Sequence, residues 1–200
     1  MVLLLEQLLQ LMIRIGYQGV ENSNNHIAAE KFIESNEIEN YTLIPLVSSD
    51  NVVRHLLNKE IDLGIMAISN SIIGLVQETK NAVEKKNLIE ISRIKMSITH
   101  AAFKLNSDLS NFDVKYVASH EAALAQCKNN IKLKYPNAEL TPIKNTGLGP
   151  QMLVNGELDP STVIICPPKA GKKYDLVMDH ENLSDMNDSA TCFGIFKLAD

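Results

Sequence analysis

The sequence is poor in the residues that mark several classes of protein. Its 200 residues include no tryptophan, three cysteines, seven prolines and nine glycines. Cys127, Cys166 and Cys192 are odd in number and widely spaced, and they form neither a CxxC pair nor a cluster with histidine. Disulfide frameworks and zinc sites need such spacings, so we predict neither, and we expect a reducing cytoplasm as the compartment.

Positive charge is also scarce. Lys and Arg number 19 against 24 Asp and Glu, which gives a formal net charge of −5 and a pI near 5.6. Binding to a phosphate backbone through counterion release needs clustered Lys and Arg, so we predict no nucleic-acid partner. We interpret Lys169, Lys172 and Lys173 as solvated surface, with attraction of an anionic substrate as the alternative.

An apolar segment opens the chain. MVLLLEQLLQLM contains Glu6, lacks a basic n-region and a small-residue cleavage site, and is too short to span a bilayer. We therefore interpret residues 1–11 as an amphipathic N-terminal extension, with Met12 as an alternative start, and we predict no membrane partner.

The rest of the composition is that of a globular protein. Hydrophobic residues make up 45% and charged residues 22% of the chain. There are no internal repeats, low-complexity segments or Gly/Ser linkers. A chain of this length buries roughly 70% of the surface that its unfolded form exposes, as one domain or two small lobes.

Short β-type runs alternate with helical patterns, which predicts an α/β fold with mostly parallel strands. The predicted strands are 13–17, 41–47, 61–68, 114–118, 140–143, 162–166 and 192–198, with a longer β-rich stretch at 88–105. The predicted helices are one through 27–33, one through 52–57 capped by Ser48 and Ser49, and three at 72–83, 149–154 and from the cap Ser119 to about 134.

The β-rich stretch carries the chain out of one lobe, and the β/α pattern then restarts. We predict a first lobe of residues 12–98 plus 181–200 and a second lobe of residues 99–180. Such a two-lobed α/β chain offers a ligand cleft at the crossover, where strand carboxyl ends and helix N-termini converge. A cleft of this kind suits a small anion.

Four polar turns lie at predicted strand ends or helix starts. They are Gly16–Gly19, Ser69–Gly74, Asn145–Gly149 and Asp188–Phe193. Free N–H groups at helix starts bind carboxylates without Lys or Arg, although capping alone explains the residue types of any single turn. The four together predict a dicarboxylate site that uses Asn70, Ser71, Thr146, Gly147 and Thr191.

Four segments resemble the catalytic domain of prephenate and arogenate dehydratases. They are IRIGYQGV from Ile13, SNSIIGLV from Ser69, VASHEAALAQC from Val117 and the terminal TCF from Thr191. The resemblance runs from residue 12 to about 198, and His100 and the Asn145–Gly147 turn fall in the expected places. It implies a two-lobed fold like that of type II periplasmic solute-binding proteins, with prephenate between the lobes. We expect no cofactor and no metal, and a homodimer.

The reaction that the resemblance implies is loss of carbon dioxide and the ring hydroxyl from prephenate, giving phenylpyruvate. The family's proton donor is the threonine of a Thr-Arg-Phe motif, which here is Thr191, followed by Cys192 and Phe193. A thiol cannot supply the charge or the forked donors of a guanidinium. Ser69 stands where the family has glutamate, and Asn22 and Ser23 lie in a loop that the family builds from Gly-Thr/Ala-aromatic-Ser. The predicted substrate-binding residues are Asn22, Ser23, Ser69, Asn70, Ser71, Thr146, Gly147, Cys192 and Phe193, with Thr191 as the catalytic group.

These departures leave three functions open. The chain is a dehydratase, a non-aromatising prephenate decarboxylase, or a non-catalytic protein that binds small carboxylates. Thr191 favours the dehydratase, because only the aromatising route delivers a proton to the leaving hydroxyl. The chain stops at Asp200, so we expect no regulatory domain that binds phenylalanine in cis.

The remaining candidates have structural interpretations. His120 is expected to start a helix, and Cys127 to be a small buried hydrophobic residue. His26, His55 and His180 lie far apart and show no spacing typical of metal ligands.

Overall fold

The computed structural model describes residues 12–106, 113–186 and 189–199. The predicted N-terminal extension and Asp188 lie outside these ranges. The strands are β1 (Ile13–Tyr17), β2 (Tyr41–Pro45), β3 (Leu63–Asn70), β4 (Gly74–Leu75), β5 (Leu88–Ser97), β6 (Ala101–Lys104), β7 (Tyr116–Ser119), β8 (Glu139–Pro142), β9 (Thr162–Cys166), β10 (Val177–His180) and β11 (Ala190–Leu198). The helices are α1 (Asn24–Ser35), α2 (Ser49–Leu57), α3 (Gln77–Val83), α4 (Glu121–Gln126), α5 (Lys128–Lys134), α6 (Gly149–Val154) and α7 (Pro168–Lys172).

The described residues form two compact α/β units. The first contains 12–20, 25–96 and 191–199, and the second contains 21–24 and 97–190 apart from the gaps. The first unit is built on a six-stranded sheet in the order β2-β1-β3-β11-β5, with β4 paired to β3. Strands β1, β2 and β3 run parallel, whereas β11 runs antiparallel to β3.

Helix α2 shows how the first unit is packed. Its N-cap Ser48 accepts a hydrogen bond from the backbone N–H of Asn51 at 3.2 Å, as the sequence predicted. Its buried Val52 and Leu56 lie over Gly64 of β3, where an added Cβ would approach them to 2.6 and 2.8 Å. The glycine therefore lets the helix lie close to the sheet.

The second unit contains a five-stranded sheet in the order β10-β6-β9-β7-β8. Its central strand β9 is buried along all five residues. Val163 and Ile165 face one apolar cluster, and Ile164 and Cys166 face another. Burial on both faces explains why this strand reads as a continuous apolar run in the sequence.

Two predicted helices differ from the observed ones. The helix predicted for 72–83 begins only at Gln77, because Gly74 has a φ of 75° and pairs in β4. The helix predicted to about 134 divides at Cys127 into α4 and α5. Its cap is His120, since the Ser119 hydroxyl instead donates to the carbonyl of Ile165 at 2.7 Å.

Residues 181–190 belong to the second unit, whereas the sequence assigned them to the first lobe. Leu183 is buried in a core cluster of the second unit. The Asp185 carboxylate accepts hydrogen bonds from the backbone N–H groups of Asn129 and Asn130, each at 2.9 Å, at the start of α5. These contacts hold the segment on the second unit. Among the described residues, no helix is both long and apolar enough to cross a bilayer.

Candidate active site

Thr191 and Asn70 form the central pair of the candidate site. Thr191 lies near the start of β11 and is the pairing partner of Asn70, the last residue of β3. The Asn70 side-chain amide donates to the Thr191 hydroxyl oxygen at 2.9 Å. Because the oxygen accepts this bond, the hydroxyl proton remains available for donation to another group.

The orientation of the Asn70 amide is fixed by its own turn. Its side-chain oxygen accepts from the backbone N–H groups of Ile72 at 2.9 Å and Ile73 at 3.3 Å. The oxygen is thereby directed towards the turn and the NH₂ group towards Thr191. Asn70 is 6% exposed, so the pair is held by a buried and oriented amide.

The neighbouring residues of the two strands lie beside this pair. Ser69 and Cys192 are pairing partners and are both half-buried, and the ladder shifts register between Cys192 and Phe193. Phe193 is 1% exposed, which places its ring in the core. Ser71 is exposed in the turn after Asn70.

A polar network in the first unit was missed by the sequence analysis. The Gln18 amide donates to the Glu78 carboxylate at 2.9 Å, and the same carboxylate accepts from the backbone N–H of Ser49 at 2.8 Å. The Ser49 hydroxyl bonds to Thr79, whose hydroxyl donates to the carbonyl of Ala67 at 2.6 Å. The network links the end of β1 and the starts of α2 and α3 to β3. The signals in the sequence were Gln18 within the Gly16–Gly19 turn and Ser49 as a candidate helix cap.

The remaining predicted binding residues belong to the second unit. Asn22 and Ser23 are buried, and Asn22 has a φ of 63°. This left-handed conformation favours glycine or asparagine, which explains why asparagine is accommodated at this position. Thr146 is half-buried and Gly147 is buried, and the Gly147 N–H donates to the Asn145 side chain at 2.9 Å.

A buried cluster of His100, Gln126 and Ser189 also lies in the second unit. The Nε2 atom of His100 is 3.1 Å from the Gln126 side-chain oxygen, which also accepts from the Ser189 hydroxyl at 3.3 Å. Since an amide oxygen only accepts, Nε2 carries the ring proton. Burial lowers the pKa of His100, although the bond to Gln126 opposes this effect. The sequence analysis had not selected Gln126, although it lies in the Val117–Cys127 segment.

The structural interpretations of His120 and Cys127 are confirmed. The His120 ring accepts from the backbone N–H of Ala122 at 3.3 Å and caps α4. Cys127 is fully buried, and burial, followed by the charge of Asp185, raises the pKa of its thiol to about 12. Within the described ranges, no group of three or more His, Cys, Asp and Glu residues is arranged to hold a metal ion.

Comparison with known proteins identifies relatives of similar sequence. The chain is 28% identical over 181 residues to the bifunctional chorismate mutase/prephenate dehydratase of Buchnera aphidicola subsp. Schizaphis graminum. That alignment covers 89% of this chain and 45% of the relative, so the chain spans less than half of that protein.

Solved structures share the fold. Prephenate dehydratase from Arthrobacter aurescens, solved in complex with L-Phe, superposes with a TM-score of 0.82 at 22% identity over 94% of this chain and 61% of that one. A periplasmic substrate-binding protein of an ABC transporter from Coxiella burnetii gives 0.50 at 8% identity over 94% and 84%. The predicted α/β fold class, like that of type II periplasmic binding proteins, is confirmed.

The family model described as prephenate dehydratase matches residues 15–199. This match includes both units and the Asn70–Thr191 pair. The protein therefore belongs to the prephenate dehydratase family.

Proposed function

We propose that this chain converts prephenate to phenylpyruvate with release of carbon dioxide and water. The hydrogen bond from Asn70 to Thr191 carries the proposal. It engages the acceptor side of the Thr191 hydroxyl and leaves the proton directed elsewhere, as a general acid requires.

The reaction requires substrate binding and the transfer of one proton to the leaving group. The ring carboxylate leaves as carbon dioxide, and its bonding electrons enter the ring as the hydroxyl departs. Thr191 donates its proton to the departing oxygen, so that water rather than hydroxide is released. The threonine oxygen then recovers a proton from solvent, and the net reaction consumes one proton. Aromatisation supplies the driving force, so orientation of the substrate is the main task of the protein.

Polar residues at strand ends and in turns are the proposed donors to the substrate carboxylates. In the first unit, Ser69, Asn70 and Ser71 lie at the end of β3, next to Thr191. In the second unit, Asn22, Ser23 and Thr146 are the proposed donors, since polar side chains in turns offer hydrogen bonds to carboxylate oxygens. Gly147 is assigned to shaping the turn, because its N–H donates to the Asn145 side chain. Cys192 is assigned to the wall of the site beside Thr191, whereas Phe193, whose ring lies in the core, is assigned to support of the strand.

Among the lyases, we assign the proposed enzyme to the carbon-oxygen lyases. The alternative, a carboxy-lyase that keeps the ring hydroxyl, would protonate a ring carbon and would not need the Thr191 proton. The homodimer and the cytoplasmic location stay predictions from the sequence.

Product analysis at neutral pH tests the proposal. Purified protein is incubated with prephenate or arogenate, beside an enzyme-free blank. The product of each is identified by mass, and the absorbance of the aromatic keto acid is a second readout for prephenate. Phenylpyruvate above the blank supports the proposal, and faster turnover of arogenate reassigns the substrate. A product that retains the ring hydroxyl makes the protein a decarboxylase. Carbon dioxide release at the blank's rate leaves only the binding function.

Replacement of Thr191 tests the assigned donor. We expect Thr191→Ala to lower kcat by at least about a hundredfold, in the range that a lost general acid produces, while Thr191→Ser retains most of the activity. Asn81→Ala, on the exposed surface of α3 in the same unit, is the matched control. Unchanged turnover in Thr191→Ala would remove this residue from the mechanism.

A further inference from the structure

The residue that precedes β11 is held by a buried hydrogen-bond cluster. Strand β11 begins at Ala190, and the assigned proton donor Thr191 is its second residue. Ser189 lies directly before the strand and is 1% exposed. Its hydroxyl donates to the side-chain oxygen of Gln126 at 3.3 Å, and its carbonyl accepts from the backbone N–H of Ile98 at 2.8 Å. The entry to β11 is therefore fixed through both the side chain and the backbone of one residue.

The side-chain oxygen of Gln126 is the common acceptor of this cluster. It also accepts from the Nε2–H of His100 at 3.1 Å. An amide that receives this bond keeps its oxygen, rather than its NH₂ group, towards the Ser189 hydroxyl. The Gln126 backbone carbonyl accepts from the backbone N–H of Asp185 at 2.8 Å, which ties Gln126 to the chain segment that leads to Ser189. His100 therefore determines which group of Gln126 faces Ser189.

The His100 ring is a fixed donor to Gln126. The residue is 2% exposed, and its Nδ1 atom has no hydrogen-bond partner in the described part of the chain. Burial lowers the pKa of His100, so the ring is neutral at pH 7 and has one N–H to donate. That single N–H is the one that Gln126 accepts.

We propose that this cluster is a positioning device for Thr191. His100, Gln126 and Ser189 fix the point at which the chain enters β11, and thereby the place of the Thr191 hydroxyl. The inference rests on the proposed function. Asn70 orients the hydroxyl itself, whereas the cluster restrains the backbone two residues before it. A displacement of about 1 Å in a catalytic group can reduce the rate about a hundredfold, so a restraint away from the reacting atoms still affects the chemical step.

Two amide substitutions of His100 test the orientation of Gln126. In His100→Gln the side-chain NH₂ can take the place of Nε2, whereas in His100→Asn it lies nearer to the place of Nδ1, because the side chain is one carbon shorter. We expect His100→Asn to lower kcat for prephenate by about tenfold and to change KM by less than about threefold, since the proposed substrate donors are intact. His100→Gln should retain most of kcat. A general loss of stability would not favour the longer amide in this way.

Removal of the Ser189 hydroxyl tests the other end of the cluster. We expect Ser189→Ala to lower kcat by about threefold to tenfold and to speed amide hydrogen exchange of residues 190–196. The matched control is Ser184→Ala, which changes a buried serine of the same segment whose hydroxyl has no partner among the described residues, and which should alter neither quantity. In a His100→Asn background, Ser189→Ala should cost little more, because both substitutions act through one amide oxygen.

The outcomes separate this inference from the proposed function. Thermal unfolding identifies any His100 variant that fails to fold, and Ser189→Ala then carries the test. Equal kcat in His100→Gln and His100→Asn, or wild-type kcat and wild-type exchange in Ser189→Ala, overturns this inference alone. A wild-type protein with neither turnover nor binding of prephenate overturns the proposed function and this inference together.

Discussion

Asn70 and Thr191 are 121 positions apart in the sequence, and they face each other as pairing partners on antiparallel strands. The amide cannot exchange its two ends without losing the bonds from Ile72 and Ile73. The hydroxyl of Thr191 therefore receives a donor of fixed direction. In the proposed function, the pair would combine the proton that Thr191 donates with a rigid support.

Substitution of Asn70 should lower kcat more than it weakens substrate binding. We expect Asn70→Ala to lower kcat by about a hundredfold, at the lower end of the effect of losing one oriented donor in other active sites. Asn70→Asp should be at least as damaging, because a carboxylate accepts the Thr191 proton instead of leaving it for the substrate. Phenylpyruvate formation measures both, with Asn81→Ala as reference. Retention of wild-type kcat by Asn70→Asp would contradict this account.

Thiol titration should distinguish the three cysteines. Burial raises the pKa of Cys127 and of Cys166 to about 12, whereas Cys192 is only half-buried. The thiolate is the reactive form, so a disulfide reagent at pH 8 should modify one thiol in the native protein and three in urea. Cys192→Ser should leave no reactive thiol in the native state. Two or more native thiols would show that the buried pair is accessible.

Acid should destabilise the protein through His100. Burial lowers its pKa, so below about 6.5, the ordinary value for histidine, the unfolded chain binds a proton that the folded chain does not. The free energy of unfolding then falls as pH decreases, by at most about 1.4 kcal/mol per pH unit. Urea unfolding between pH 7 and pH 5 measures the slope.

Two variants test the assignment of this slope to His100, namely His100→Gln and the control His55→Gln. His100→Gln should flatten the slope, whereas the partly exposed His55 serves as the control. An identical slope in His100→Gln and the wild type would assign the acid sensitivity to other groups.

Asp185 should contribute to stability through α5. Its carboxylate satisfies two backbone N–H groups at the start of that helix, and we expect Asp185→Ala to lower the free energy of unfolding by about 1–2 kcal/mol. Chemical denaturation measures the change. Asp113→Ala, an exposed carboxylate of the same unit, should change it by less than about 0.5 kcal/mol. Equal effects of the two substitutions would contradict the capping role.

Much of the fold was predictable because periodicity and capping are local. Strands β1 and β9 and helix α6 have the predicted bounds. The division between α4 and α5 was not predictable in this way, since the partner that starts α5 is Asp185, more than fifty residues away. The short strand β4 was not predicted. Ile72 and Ile73, which precede it, fit a helical spacing, so the predicted helix was extended over Gly74, where β4 begins.

The site was predictable only in its residue types. The sequence indicated Asn70 and Thr191 separately, through turn composition and resemblance, but not their hydrogen bond. The links from Gln18 to Glu78, and from His100 to Gln126, join residues that lie on different elements. Such pairs depend on tertiary packing and leave no local pattern.

The place of β11 within the first sheet bears on the order of folding. This strand lies between β3 and β5, so the sheet stays divided until residues 190–198 have been synthesised. The second unit, made largely of the contiguous residues 97–190, has all of its strands before that point. On the ribosome the second unit would therefore complete its structure first, and formation of the Asn70–Thr191 pair would be the late event that completes the candidate site.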